Sequence, residues 1–414
     1  MSDRYPGGLI RKTPPTITPP TGGEGGSASG IWTMDQVAYY IKEGTWPLPL
    51  LPRYFYSWGD NSNGKLGLNL GLATDDRSSP VQVGALGDWA QAASTVLSVL
   101  AVKTDGTLWA WGRNTDGQLG LDDLIARSSP VQVGALTNWA QVSVENDSSL
   151  AVKTNGTLWS WGKNDYGQLG VNNLIATSSP VQIGSNTDWA SCECASNGGF
   201  AVTTDGKAYS WGDNTAGQLM TNEVTTTRRS SPVQIGALTN WYLIKANKNS
   251  NNASVWAVKT DGTFWACGHA NAGALGTDDT VNKSSPVQVG ALTTWSKPAG
   301  SYDNYSGALR TDGTAWVWGA NLYGVLGLNY VGQPYVSSPV QLGTETNWTD
   351  LIFMQNSGAA GIESGKLYGW GRNVAGVTGL DDTISRSSPV QVGADTDWER
   401  VFSNGSAQFA TKKS

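Results

Sequence analysis

Residues 104–120 read TDGTLWAWGRNTDGQLG, and the reading of this stretch decides the fold. Asp105-Gly106 stands between alternating β-formers, the strongest short-range hairpin signal, with both residues expected at positive φ in a type I′ turn. A strand therefore turns back here. Because successive side chains alternate across a strand, Trp109 and Trp111 share one side and Leu108, Ala110 and Gly112 the other. One face is bulky and the other mostly small.

The same stretch recurs, and internal repeats outrank local readings. The aromatic-x-Trp-Gly strand returns at Tyr56/Trp58, Trp109/Trp111, Trp159/Trp161, Tyr209/Trp211, Trp265/Cys267, Trp316/Trp318 and Tyr368/Trp370. These define units one to seven. A Ser-Pro pair follows each, at Pro80, Pro130, Pro180, Pro232, Pro286, Pro339 and Pro389. Nine residues beyond every one of those prolines stands a tryptophan: Trp89, Trp139, Trp189, Trp241, Trp295, Trp348 and Trp398. An interval that never varies implies that no insertion is tolerated there.

Each unit predicts four antiparallel strands. WAQVSV (139–144) and LAVKT (150–154) alternate, the turn follows, then TLWSWG, then a Gly-rich loop leads to SSPVQI. Proline donates no ladder hydrogen bond, so that last strand belongs at a sheet edge. Four strands in about 50 residues is the pattern of a propeller blade. The chain is all-β, a seven-bladed propeller. Its last copy stops at Ser414, level with a hairpin turn, and its first starts just past such a turn at Tyr54. The ring is thus cut at a turn, and one blade takes two inner strands from the C-terminus and two outer strands from residues 54–84. That closure leaves no open terminal blade.

Blades pack face to face, and a Trp-x-Trp face is expected to fit the small Ala, Ser and Gly face of its neighbour. Of the 20 tryptophans only Trp32, Trp46 and Trp256 stand outside the repeated positions. Repeated tryptophans are therefore core, and Cys267 takes the place of one.

The order TDGxLWxWGxNxxGQLG, then SPV, then a hydrophobic strand, resembles the regulator of chromosome condensation repeat over residues 53–414. That resemblance implies a seven-bladed propeller, and as functions a guanine-nucleotide exchange factor or signalling scaffold. The chain departs from the family pattern in the third strand, where SVENDSSLAV, SNGGFAV and FMQNSGAAGI stand in place of the usual small-Gly-x-x-His run.

Charged residues make up 14% of the chain and the net charge is −6. Nucleic-acid or anionic-membrane binding needs a basic face, so neither partner is expected. No segment reaches the length of a membrane span, and MSDRYPGG has no apolar signal region. One histidine and three cysteines give no metal-ligand spacing, the Cys192/Cys194 pair included, so no metal or cofactor is expected.

Residues 1–30 carry Pro-Pro twice and GGEGG, a composition for an extended or flexible arm. Residues 31–52 supply a short helix and connector. Thr33 caps, Gln36 completes a capping box, Trp32 and Val37 staple, and Gly44 stops a helix over 34–43. Its apolar surface of Trp32, Val37, Tyr40, Ile41 and Trp46 is too small to stand alone. YPGGLIRKTPP, which includes Tyr5, and SGIWTMDQVAYYIKEGTWP resemble segments of structural proteins of marine tailed phages. That resemblance implies a virion location, an anchor at Tyr5, Trp32, Val37, Tyr40, Ile41 and Trp46, and capsid or tail proteins as partners, with the propeller displayed toward a host surface protein or glycan.

No catalytic constellation emerges from the sequence, and the chain is read as a non-enzyme. Paired carboxylates occur at Asp122-Asp123, Asp278-Asp279 and Asp381-Asp382, the groups a carbohydrate-active enzyme could use as acid and base. The position just after each strand-ending glycine reads Asp60, Arg113, Lys163, Asp213, His269, Ala320 and Arg372. The scaffold repeats while this residue changes, so it forms a candidate binding ring on one face. Insertions in TNEVTTTRRSSP, with Arg228 and Arg229, in NKNSNNASVW and in NYVGQPYVSSP mark further contact loops.

Overall fold

A computed structural model describes residues 53–413 apart from 73–74, 86, 146, 196, 224–227, 249–252, 300–302, 332–334, 356–357 and 404–406. The expected arm, the helix over 34–43 and the anchor residues Tyr5, Trp32, Val37, Tyr40, Ile41 and Trp46 lie outside the described residues.

Among the described residues, 28 strands form seven four-stranded antiparallel sheets. The second unit shows the plan: Trp89–Ser94, Ser98–Lys103, Leu108–Gly112 and Arg127–Gln132 lie side by side in chain order. The Trp-initiated first strands pack each against the next, and Trp398–Ser403 returns to Trp89–Ser94. They line the axis of a closed ring, and the Ser-Pro strands lie at the sheet edges, where their missing donors cost nothing.

Closure occurs where the sequence places it. The last sheet runs Arg77–Gln82, Arg53–Gly59, Ala407–Lys413, Trp398–Ser403, with Tyr54 opposite Lys412 and Trp58 opposite Gln408. Across the same blade Arg53 Nε donates to Glu399 Oε2 at 2.6 Å. The first and last strands of the propeller thus share one sheet.

The hairpin turn differs from the type I′ expectation. Gly106 has φ +78° while Asp105 does not reach positive φ. The Gly106 N–H donates to Lys103 O (2.9 Å) and the Lys103 N–H to Thr107 O (3.0 Å), a three-residue loop ending in a left-handed glycine. Asp105 serves another purpose. Its carboxylate accepts from the Thr107 N–H (2.9 Å) and hydroxyl (2.7 Å), and that hydroxyl accepts from Trp109 Nε1 (2.9 Å). The glycine is needed because the link to the next blade crosses beneath: a Cβ at Gly106 would lie 2.1 Å from Thr137 O, and the Trp139 N–H donates to Gly106 O at 3.0 Å. A link pinned under its own hairpin explains the fixed nine-residue interval.

Blades interlock through the strand-ending tryptophans. Trp111 is fully buried and donates from Nε1 to Lys65 O (2.9 Å) in the preceding unit's loop. Trp161 and Trp211 repeat this with Gln118 O and Gln168 O, and Trp58 closes the ring on Val377 O at 3.1 Å. The receiving face is not simply small, contrary to the sequence expectation. Trp139 and Trp161 pack on Leu100, Val102, Leu108 and Leu119 beside Ala110. Smallness is required at one point, the loop glycine under the indole: a Cβ at Gly120 would stand 2.8 Å from Trp161 Nε1. In the fifth unit Cys267 replaces the tryptophan, and Met220 replaces that glycine, both in one cluster.

Candidate functional site

The candidate ring residues occupy equivalent places on one face. Each follows the strand-ending glycine, and in five units its N–H donates to the turn between the first two strands, Arg113 to Leu97 O (2.8 Å), Lys163 to Asp147 O (2.8 Å), Asp213 to Asn197 O (2.9 Å), His269 to Ala253 O (3.1 Å) and Ala320 to Asn304 O (2.7 Å). The scaffold therefore sets seven matched positions around a rim.

Their side chains do not form one continuous ring. Arg113 and Lys163 approach the same carboxylate, Asp147, at 3.6 and 3.9 Å. Burial, then the charge of Asp116, raises the Asp147 carboxyl above the usual range. Asp60 is spent on structure, since it receives the fully buried Lys65 ammonium at 2.6 Å, whose pKa burial lowers. Asp213 accepts from the Thr215 hydroxyl at 2.9 Å. The carbonyl oxygen of His269 accepts from the Ser254 hydroxyl at 2.6 Å, and Ala320 is buried. Arg372 reaches into the sixth unit, its guanidinium 4.9 Å from the Tyr323 ring centroid.

Two places further along lies a position that sequence reading did not single out. It holds Ser62, Thr115, Asp165, Thr215 and Asn271 in five units, but Leu322 and Val374 in the last two. Leu322 is 59% exposed and Val374 51%. Comparing the units column by column reveals the change, and the exposure gives it meaning: two adjacent blades present apolar side chains where the others present polar ones. Tyr323, also exposed, carries the Arg372 contact beside them.

The paired carboxylates are committed to the ring's own joints. Asp123 and Asp382 hold Arg127 and Arg386 four residues on, at 2.5 and 2.6 Å, and Asp279 holds Lys283 at 2.7 Å. Hydrogen bonding from Arg386 keeps the Asp382 carboxyl well below the usual range. Their neighbours Asp122, Asp278 and Asp381 sit at φ +61°, +64° and +59°. The Asp122 and Asp381 N–H groups donate to Ser178 O (2.9 Å) and Ser78 O (3.0 Å) of the following blade, whose serine hydroxyls donate back, Ser179 to Asp122 and Ser78 to Asp381. With both members of each pair engaged in this way, a free acid and base do not face a common cleft.

Of the inserted loops, Arg229 pairs with Glu223 at 2.6 Å and Arg228 lies 4.3 Å from the Tyr166 ring centroid. Among the described residues no group of three His, Cys, Asp or Glu is placed to hold a metal. Cys192, Cys194 and Cys267 are free and buried; burial pushes the Cys267 thiol up to about 12.

Comparison with known proteins agrees with this architecture. The Arabidopsis thaliana ultraviolet-B receptor UVR8 is 27% identical over 183 residues, 44% of this chain and 39% of the receptor. The human probable E3 ubiquitin-protein ligase HERC3 is 39% identical over 71 residues, 17% of this chain and 7% of the ligase. The matches thus span well under half of these curated relatives. Among solved structures, human WBSCR16 superposes with TM-score 0.74 at 20% identity, covering 87% of this chain and 99% of its own. Saccharomyces cerevisiae Prp20p, described with its binding to Gsp1p and histones, gives 0.73 at 17%, covering 88% and 92%; these likenesses show the fold. A model of the RCC1-like domain matches residues 54–410, and the chain belongs to that family.

Proposed function

We propose that the chain is a non-enzymatic binding propeller that docks a protein partner on the face where the third strands end, centred on units six and seven. The observation that carries the reading is the exposed Leu322 and Val374 at a place that is polar in the other five units. Tyrosine and arginine are enriched at protein interface centres, and the exposed aliphatic groups beside Tyr323 and Arg372 add apolar area for a partner to cover. The rest of the ring supports a display role: its polar groups are engaged by neighbours within and between blades, so the surface is rigid and little ordering entropy is lost on docking. Prp20p, a neighbour by fold, is described as binding Gsp1p and histones, which is in keeping with a protein-binding use of the architecture.

The partner class rests on sequence. Residues 5–47 resemble virion structural segments, favouring a capsid or tail protein as the partner and a particle as the location, while the family favours a regulatory partner or nucleotide exchange. Photo-crosslinking from position 322 in the producing cells distinguishes these by mass spectrometry of the adduct. The Leu322→Asp/Val374→Asp variant is expected to lose at least about tenfold in capture of that partner with an unchanged melting temperature. Undiminished capture by the variant overturns the docking face.

A further inference from the structure

The axis of the propeller holds a cavity of about 480 Å³ lined by the first strands of all seven blades. Its charge is one-sided. Lys245, Lys248, Lys297 and Arg400 face it against two carboxylates, Glu193 and Asp350. This excess of cations sits inside a chain whose net charge is −6.

Both carboxylates are already neutralised. Glu193 receives Lys245 at 2.6 Å and the Ser143 hydroxyl at 3.4 Å. Asp350 receives Lys297 and, on its other oxygen, the Val401 N–H at 3.1 Å. Lys248 and Arg400 remain without an ion-pair partner among the described residues; Lys248 reaches only a carbonyl oxygen, Ser94 O at 3.4 Å, on the second unit's first strand. Glu145 adds one acidic group near Lys248 but does not line the cavity, and the balance stays positive. Residues 249–252, 356–357 and 404–406, which lie outside the described residues, contain no Asp or Glu in the sequence.

The lining is otherwise fixed. Gln91 bridges to the next first strand through both amide atoms, donating to Val142 O and accepting from the Val142 N–H, each at 2.9 Å. Gln141 accepts from the Cys192 N–H at 3.1 Å in the same way. A cavity with walls braced by such bridges is preorganised, and an excess of cations over carboxylates along its wall gives it a positive potential.

We propose that this axial cavity is a binding site for a small phosphate-bearing anion, held by Lys248 and Arg400. The volume suits a molecule the size of a sugar phosphate or pyrophosphate, and both charged groups donate hydrogen bonds to phosphate oxygens. The site is separate from the docking face around Leu322 and depends on no reading of it.

Titration calorimetry of the full chain with pyrophosphate at low ionic strength tests the assignment, with citrate and inorganic phosphate as further probes. Saturable one-to-one binding is expected, weakened about tenfold in Lys248→Gln and in Arg400→Gln. Glu193→Gln, which removes a negative wall, is expected to tighten it. Arg400 is exposed, so its variant reports even if Lys248→Gln folds poorly. Absence of saturable binding overturns the site, as does equal binding by wild type and both cation variants. Citrate bound in preference to both phosphates overturns the ligand class.

Discussion

The junction between units four and five makes the interlock testable as a swap. At the other six junctions a glycine lies beneath a tryptophan, and a Cβ on Gly67, Gly120, Gly170, Gly276, Gly327 or Gly379 would come within 2.7–3.1 Å of the indole. At this junction Met220 and Cys267 replace the pair, buried together at 3% and 0% exposure. The volume of the indole has moved from one blade to the other. Cys267→Trp alone puts an indole where the methionine already sits, an overpacking that costs about 1–3 kcal/mol. Met220→Gly alone leaves a hole worth about 2–5 kcal/mol. Relief of a non-glycine residue held at φ +62° offsets roughly 1 kcal/mol of that.

If the two changes were independent, the double variant would lose about 2–7 kcal/mol, the sum of those costs. The structure says otherwise. Met220→Gly/Cys267→Trp recreates the geometry of the other six junctions, with the new indole able to donate to Gln218 O as Trp211 does to Gln168 O. It is expected within about 1 kcal/mol of wild type, a coupling energy of roughly 1 kcal/mol or more from the double-mutant cycle. Guanidinium unfolding with the slope checked for constancy measures it. Losses that add to within about 0.5 kcal/mol would refute the idea that these residues share one space.

Two further expectations concern the hairpin. Gly106→Ala must place its Cβ 2.1 Å from Thr137 O at φ +78°; the melting temperature is expected to fall by several degrees, beyond the roughly 1 kcal/mol of the dihedral alone, and an unchanged melt would refute the clamped link. Asp105, Asp261 and Asp312 each have a pKa lowered first by a threonine hydroxyl, from Thr107, Thr263 and Thr314. A depressed folded-state pKa gives stability that is present above the unfolded value near 3.9 and lost as pH falls through the folded one. Thermal melts below about pH 4 should therefore fall more steeply for wild type than for the triple Thr→Val variant, and parallel curves would exclude the hydroxyls as the cause.

What was legible in the sequence was whatever repeats. Seven prolines and seven tryptophans in register reveal the blades, and the position of Ser414 relative to a hairpin places Ala407–Lys413 beside Arg53–Gly59. What was not legible lies between units. Asp105-Gly106 suits a type I′ turn locally, but the Asp105 carboxylate binds Thr107 and the following link occupies the space under Gly106, so a three-residue loop forms instead. Cys267 reads as a lost tryptophan until Met220 is seen in its place, because the two are neighbours only across blades. The same holds for the binding ring: Asp60 looks like a free surface charge, yet Lys65, five residues on and fully buried, claims it.

This division bears on where specificity can reside. A residue used by the interlock cannot change without its partner in the next blade, as the Met220 and Cys267 exchange illustrates, so that set is shared by all units apart from compensated swaps. Residues free to diverge singly are those whose side chains leave the joints: Leu322 and Val374 on the rim, and Lys248 and Arg400 on the axis. Both groups break the seven-fold pattern without a compensating change in a neighbouring blade. A joint-forming residue would need one, so these departures are best accounted for by something outside the chain.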